Sequence, residues 1–245
     1  MTMGNPGFRL WRRRLYLERM DSRPAGRRSR LACPWRRDAV GVVVMAFISL
    51  SFACTTQRFS SAAPTAGFWY QAGSVVLPAD VTARLHGPLE DDEIESIKQL
   101  SRMEIERAFS GLSIAVTTNP NAFWRVEVLQ SLSVRMSQKL PNAGESVALG
   151  ALGGRGAVGF DLVALKAINY APADAPRHRI IEGIGRGIGR VAVHEFVHQI
   201  LGVVAAHDNS DVNSYEYGSP DRASQYYGDL HWTTALPLLN KKFRQ

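Results

Sequence analysis

Apolar and polar residues alternate along this chain with periods that predict both strands and helices. Nearly every even position from Trp124 to Met136 is apolar, which is typical of a strand with one buried face. From Ile94 to Ala108 the apolar residues instead recur at near-helical spacing, and the acidic residues at positions 90–93 favour a helix N-terminus there. Gly111 is expected to end this helix.

Shorter segments complete the pattern. Strands are predicted over residues 75–77, 81–85, 112–116, 147–152 and 157–163, and a last helix over 233–243. Gly153, Gly154 and Gly156 favour a tight hairpin over a phosphate-binding loop, because no Lys-Ser or Lys-Thr pair follows them. A second glycine series over 183–189 predicts the entry to a helix that packs closely against the sheet. This mixture of elements predicts an α+β fold.

Charge is distributed unevenly over the 245 residues, whose net charge is +7. Residues 1–53 contain 11 basic and 3 acidic residues, whereas residues 54–245 contain 18 basic and 19 acidic residues. A nearly neutral body has no general attraction for a phosphate backbone, so nucleic acid is not an expected partner. Two cysteines are too few for a disulfide framework or a cysteine-rich zinc ribbon.

The basic excess belongs to a segment that is typical of an export signal. Arginine-rich sequence precedes an apolar run over residues 39–53, which is shorter than the roughly 20 residues of a membrane span. The sequence Leu50-Ser51-Phe52-Ala53-Cys54 resembles a bacterial lipobox, although Leu50 is one position early and Phe52 is large. The resemblance implies a lipid anchor at Cys54, whereas Ser51 and Ala53 also suit ordinary signal peptidase.

We therefore predict three parts of the chain. Residues 1–54 are an export signal with a candidate lipobox, and residues 55–72 are a linker rich in Ser, Thr and Ala. Residues 73–245 form the folded domain. The expected location is the periplasm or cell envelope, with the protein either lipidated, simply secreted, or held by an uncleaved signal.

One motif in the folded domain is typical of a metal site. In the sequence His194-Glu195-Phe196-Val197-His198 the two histidines are four residues apart, so on a helix both imidazoles project from one face and can bind one ion. The intervening turn places the Glu195 carboxylate beside the ion without making it a ligand. There it can act as a general base.

A hydrolytic zinc ion has three protein ligands and an open position, so a third ligand must come from elsewhere. His207 follows Gly202, a residue suited to end the helix and turn the chain back towards the metal. Glu216 is an alternative that could come from a second helix. Asp208, Asp211 and His231 also remain open as ligands.

The motif resembles that of the metzincin zinc peptidases, whose pattern is HExxHxxGxxH followed by a turn that contains methionine. His194, Glu195, His198, Gly202 and His207 stand in that order, and the resemblance implies the roles of ligand, general base, ligand, helix-ending glycine and ligand. It also implies a zincin-like fold: a twisted mixed β-sheet packed by two long helices, one of which carries HExxH. A small irregular C-terminal subdomain follows.

The chain departs from the metzincin pattern in two respects. Gly202 comes one residue later than in the family and His207 three residues later, so the loop between them must bulge. No methionine follows Met136, and Tyr215 stands near the place of the family's methionine. These departures motivate an alternative function, a non-catalytic zinc-binding envelope lipoprotein whose zincin site has decayed.

The expected function is that of an exported zinc metalloendopeptidase with one Zn²⁺. It would hydrolyse peptide or protein substrates through a zinc-activated water, with Glu195 as general base. Tyr215, Tyr217 and His231 are candidate hydrogen-bond donors to an oxyanion. Their alternative role is to pack the C-terminal helix onto the body as part of an aromatic cluster.

Overall fold

The computed structural model of the chain describes residues 64–132, 143–202 and 206–243, and it has an α+β fold with a mixed five-stranded sheet. The export signal predicted over residues 1–54, including Cys54, lies outside the described residues. None of the helices in the described ranges combines the length and hydropathy that a membrane crossing requires.

The elements follow one another in a simple order. The strands are β1 (Thr65–Tyr70), β2 (Ala115–Thr117), β3 (Trp124–Leu129), β4 (Gly144–Ala148) and β5 (Gly154–Gly159). The helices are α1 (Ala79–Arg84), α2 (Asp91–Ala108), α3 (Phe160–Tyr170), α4 (Arg177–Leu201), α5 (Ser224–Tyr227) and α6 (Ala235–Phe243). A 3₁₀ turn, Gly150–Leu152, lies between β4 and β5.

The sheet has the strand order β2-β1-β3-β5-β4. β4 runs antiparallel to β5, and the other neighbouring pairs are parallel. Along β3, buried positions alternate with half-buried ones as the sequence predicts, but the strand ends at Leu129, and residues 133–136 of the predicted strand lie outside the described residues. Phe68 pairs with Val126 in register, and both side chains are buried in the core on the helix-covered face.

Three early segments differ from the prediction, and the first, residues 75–77, was expected to be a strand but has no regular secondary structure. Residues 65–70, predicted as part of the linker, form β1 and pair with both β2 and β3, so the linker does not extend over them. Residues 81–85 were expected to be a strand but belong to helix α1 and its C-cap. The reason is that Val81 and Leu85, one helical turn apart, are both buried on the same side.

The predicted strands after β3 are also shorter than expected. β4 ends at Ala148, and residues 150–152 form the 3₁₀ turn rather than a strand. β5 ends at Gly159, after which buried positions at 160, 163, 164, 167 and 168 follow the helical period of α3. Two of the three glycines assigned to a hairpin turn, Gly154 and Gly156, instead lie within β5.

Helix α4 begins at Arg177, so the glycine series lies inside the helix rather than at its entry. These glycines do not face the sheet. A Cβ on Gly189 would lie 2.4 Å from the Ser101 carbonyl oxygen of α2, and one on Gly187 would lie 2.6 Å from the Tyr226 ring of α5. The missing side chains let α2 and α5 approach the α4 backbone closely, which fixes the helix that carries the HExxH motif.

Candidate metal centre

Helix α4 and the segment after it bring three histidines together. His194 and His198 are one turn apart on α4, and Gly202 ends the helix with a positive φ of 87°. Beyond the end of the helix, the ring of His207 lies beside the rings of His194 and His198. The Nε2 atom of His194 lies 3.1 Å from Nε2 of His198 and 3.2 Å from Nε2 of His207. One ligand nitrogen from each ring therefore faces a common point.

The tautomer of His194 follows from its other ring nitrogen. Nδ1 of His194 lies 3.0 Å from the backbone carbonyl oxygen of Tyr215. A carbonyl oxygen only accepts hydrogen bonds, so Nδ1 carries the proton and donates it. In the neutral ring, Nε2 then presents a bare lone pair to the cluster, which is how histidine binds a metal. Nδ1 of His198 is buried and has no hydrogen-bond partner in the described ranges.

Burial also favours neutral rings. It lowers the pKa of His194 to about 3 and the pKa of His198 to about 4, and neighbouring rings of the cluster add to both shifts. Two imidazoles without charge can approach each other at this distance without strong repulsion.

The three histidines are close enough to bind one metal ion. Tetrahedral coordination with metal–nitrogen distances near 2.0–2.1 Å places ligand nitrogens about 3.3–3.4 Å apart. The two Nε2–Nε2 distances of 3.1 and 3.2 Å are near that separation. In the part of the chain that the structure describes, only these three His, Cys, Asp or Glu side chains gather here. A tetrahedral ion would thus keep one position that no described His, Cys, Asp or Glu side chain fills.

Glu195 lies beside the cluster and is 5% exposed. Burial raises the pKa of Glu195 to about 7. A hydrogen bond that the Ser146 hydroxyl donates to the carboxylate acts in the opposite direction and lowers this pKa. The carboxylate packs directly on β4, because a Cβ on Gly144 would lie 2.4 Å from Glu195 Oε1. A glycine at this position is required for the strand and the helix to approach so closely.

The other proposed third ligands lie elsewhere. Glu216 is completely buried, and its Oε1 accepts hydrogen bonds from the backbone N–H groups of Thr233 at 3.0 Å and Ala235 at 2.7 Å. It therefore caps the N-terminus of α6. Oδ2 of Asp211 lies 2.9 Å from Nε2 of His231. Asp208 accepts a hydrogen bond from the backbone N–H of Ser210.

Two buried arginines, neither of which was predicted from the sequence, hold the segment around the histidines. Arg190, one turn before His194, donates to the carbonyls of residues 224, 225 and 228 and to Glu104 of α2. Arg222 donates to the carbonyls of residues 212 and 214. Its guanidinium carbon also lies over the Tyr217 ring, 4.7 Å from the ring centre. The available signal for Arg190 was its position in register with the two histidines, within the otherwise apolar stretch 187–193.

The histidines open into a cleft of about 780 Å³. Gly144, Glu145 and Ser146 of β4 line the cleft, and so does the segment 217–221. Leu162 and Leu165 of α3 line a further wall. The Lys166–Asp221 ion pair, with N–O separation of 2.6 Å, joins α3 to the segment 217–221.

The three candidate oxyanion donors are placed differently. Tyr215 and Tyr217 line the cleft, whereas the His231 side chain contacts the Asp211 carboxylate. The Tyr215 ring also packs on Trp232 at 4.8 Å. The backbone of His231 pairs with residues 213–215 and so supports the carbonyl that orients His194.

Comparisons of the chain with protein-family models, with curated proteins and with solved structures find no match.

Proposed function

We propose that this protein is an exported zinc-dependent metallopeptidase with a zincin-like, divergent metzincin site. The observation that carries the proposal is the convergence of three histidine nitrogens beside a buried glutamate at the base of an open cleft. A site with three protein ligands is typical of catalytic zinc, whereas structural zinc sites have four.

His194, His198 and His207 would hold the ion. When bound, zinc supplies a Lewis acid that polarises a carbonyl oxygen and lowers the pKa of a coordinated water. Three neutral imidazoles leave the ion its full positive charge, and three nitrogen ligands suit zinc.

Glu195 is the proposed general base. Its carboxylate lies one residue from His194 on α4, and contact with Gly144 together with the Ser146 hydroxyl restricts its position. From there it would accept a proton from the attacking water and deliver it to the leaving amine. A general base contributes about 10²–10⁴-fold to the rate of such a reaction.

Strand β4 supports a peptide as the substrate. Among the described residues it is an edge strand of the sheet, and its residues at 144–146 line the cleft beside the histidines. An extended peptide can add to such an edge through backbone hydrogen bonds, with its side chains directed alternately to the two sides. A substrate bound this way would lie between β4 and the segment 217–221.

The location is proposed from the leader. Residues 1–54 have the pattern of an export signal, and a lipid on Cys54 would hold the domain at the cell envelope. The substrates would then be peptides or proteins outside the cytoplasm.

The test uses the purified full chain, loaded with one equivalent of zinc, and an unfolded protein such as casein. We expect the wild type to cleave casein, and Glu195→Gln to retain zinc while its rate falls by about 10²–10⁴-fold. Glu182→Gln, on the same helix and paired with Arg179 away from the cluster, is the matched control and should cleave normally.

Two results would contradict the proposal. Cleavage by Glu195→Gln at the wild-type rate would remove this residue as the base. One tightly bound zinc without hydrolysis of any peptide in a broad library would instead favour the alternative of a non-catalytic zinc-binding lipoprotein.

A further inference from the structure

Exposed apolar side chains gather at the end of the sheet where the parallel strands β1, β3 and β5 begin. Phe123, Val147 and Leu149 are 42%, 40% and 39% exposed, and Leu152 is 80% exposed. They belong to one surface, because the Leu149 N–H donates to the Gly153 carbonyl at 2.7 Å and the Gly154 N–H donates to the Phe123 carbonyl at 3.0 Å. We call these four residues the apolar edge.

The segments that meet at this edge contain basic residues and no acidic ones. Residues 112–126, 146–160 and 232–243 include no Asp or Glu, although residues 54–245 as a whole carry nearly balanced charges. Arg155 is exposed, and its neighbour in register on β4 is Val147. Lys241 and Lys242 are also exposed, and the next residue of α6, Phe243, packs on Trp124 at 5.6 Å.

The first described strand, β1, begins at the same edge. β1, β3 and β5 are parallel, so their first residues lie side by side, and the Phe123 N–H donates to the Thr65 hydroxyl at 3.5 Å. Thr65 follows Cys54 by only eleven residues in the sequence. Even fully extended, eleven residues span at most about 40 Å.

We propose that the apolar edge docks on an anionic phospholipid bilayer. Leu149 and Leu152 insert at the level of the lipid headgroups, and Arg155, Lys241 and Lys242 contact the lipid phosphates. Apolar insertion and basic residues act together in such surfaces, and each basic residue strengthens binding about fivefold. The docking rests on the proposed anchor at Cys54, which supplies the high local concentration of membrane.

This orientation leaves the candidate metal centre accessible. Ala148 is at the docked end of β4, whereas Gly144, which contacts Glu195, is at the other end of the same strand. A five-residue strand is about 14 Å long from first to last Cα. Docking thus places the cleft above the bilayer, where soluble peptides can enter it.

The experiment places a fluorophore at the apolar edge. The full chain carrying Cys33→Ala and Leu152→Cys is purified from bacterial membranes, labelled with a polarity-sensitive fluorophore and reconstituted in vesicles of phosphatidylglycerol and phosphatidylcholine. Val76→Cys, at another exposed apolar position (56% exposed), is the matched control, and Cys33→Ala alone gives the background. We expect a lipid-borne quencher to quench the label at position 152 and not the label at position 76.

The basic residues are tested on the same labelled chain. Lys241→Gln and Lys242→Gln should each lower the ratio of docked to undocked label about fivefold, and vesicles of phosphatidylcholine alone should have a similar effect. Casein cleavage in detergent should be unchanged in all these variants, so a failure of docking is distinguishable from a failure of the peptidase proposal.

Three outcomes would overturn the docking proposal. The first is a vesicle-bound chain whose label at position 152 is quenched no more than the label at position 76, and the second is no vesicle binding at all. The third is a blue shift in the fluorescence emission of the label at position 152 that occurs without vesicles and grows with protein concentration. A second copy of the chain would then cover the apolar edge.

Discussion

Glu216→Gln distinguishes between two roles for Glu216, a buried cap of helix α6 and a ligand of the metal. The Glu216 side chain is inaccessible to solvent, and both backbone N–H groups that it binds, those of Thr233 and Ala235, reach Oε1. A glutamine keeps an oxygen in that place but loses the negative charge. The substitution therefore tests the charge of the cap at nearly constant side-chain volume.

The magnitude follows from the two hydrogen bonds. Hydrogen bonds to a charged group contribute about 1.5–3 kcal/mol each, against about 0.5–1.5 kcal/mol for neutral ones. The substitution replaces two charge-assisted hydrogen bonds at the N-terminal end of α6 with neutral ones. It should therefore lower the free energy of unfolding by about 2–3 kcal/mol. Zinc binding should remain at one ion per folded chain, because Glu216 is not among the three clustered ligands.

The assay is urea unfolding followed by circular dichroism, with zinc measured on the folded fraction. Glu95→Gln is the matched control, because Glu95 is exposed and forms only a surface ion pair with Lys98, which contributes about 0.5 kcal/mol or less. The reasoning would be refuted if Glu216→Gln lost zinc while its stability stayed at the wild-type value. That result would make Glu216 the third ligand.

Two further variants test the scaffold. Gly189→Ala should lower the free energy of unfolding by about 1–3 kcal/mol in urea denaturation, because its Cβ would meet the Ser101 backbone. The control Gln99→Ala, at an exposed position, should be neutral. Equal stability of Gly189→Ala and the wild type would contradict this packing. The ion pair with Arg177 lowers the pKa of Glu93 below its ordinary 4.5, so Glu93 stabilises the fold above pH 4.5. The stability gap between wild type and Glu93→Gln should shrink as pH falls below 4.5, and a gap independent of pH would contradict the ion pair.

The sequence predicted those parts of the fold that depend on local periodicity. The acidic N-terminus and apolar spacing of α2 identified that helix, and Gly202 identified the end of α4. The alternation along β3 gave its buried face. These signals are local because backbone geometry relates each residue to neighbours two to four positions away.

Other features depend on partners distant in the sequence. β1 was assigned to the linker because residues 55–72 as a whole are rich in Ser, Thr and Ala, but it pairs with two strands that supply its hydrogen bonds. The third ligand stayed open among His207, Glu216 and other nearby side chains, because nothing in the sequence reveals that the Glu216 carboxylate caps a helix 19 residues later. Arg190 was missed for the same reason, since its partners come from α2 and α5.

The most direct test of the metal centre is zinc X-ray absorption spectroscopy on the zinc-loaded full chain, beside His207→Ala. We predict three imidazole nitrogens and one further light atom not supplied by the protein in the wild type, and loss of one imidazole in the variant. Four protein ligands in the wild type, or an unchanged spectrum in His207→Ala, would contradict an open three-histidine site.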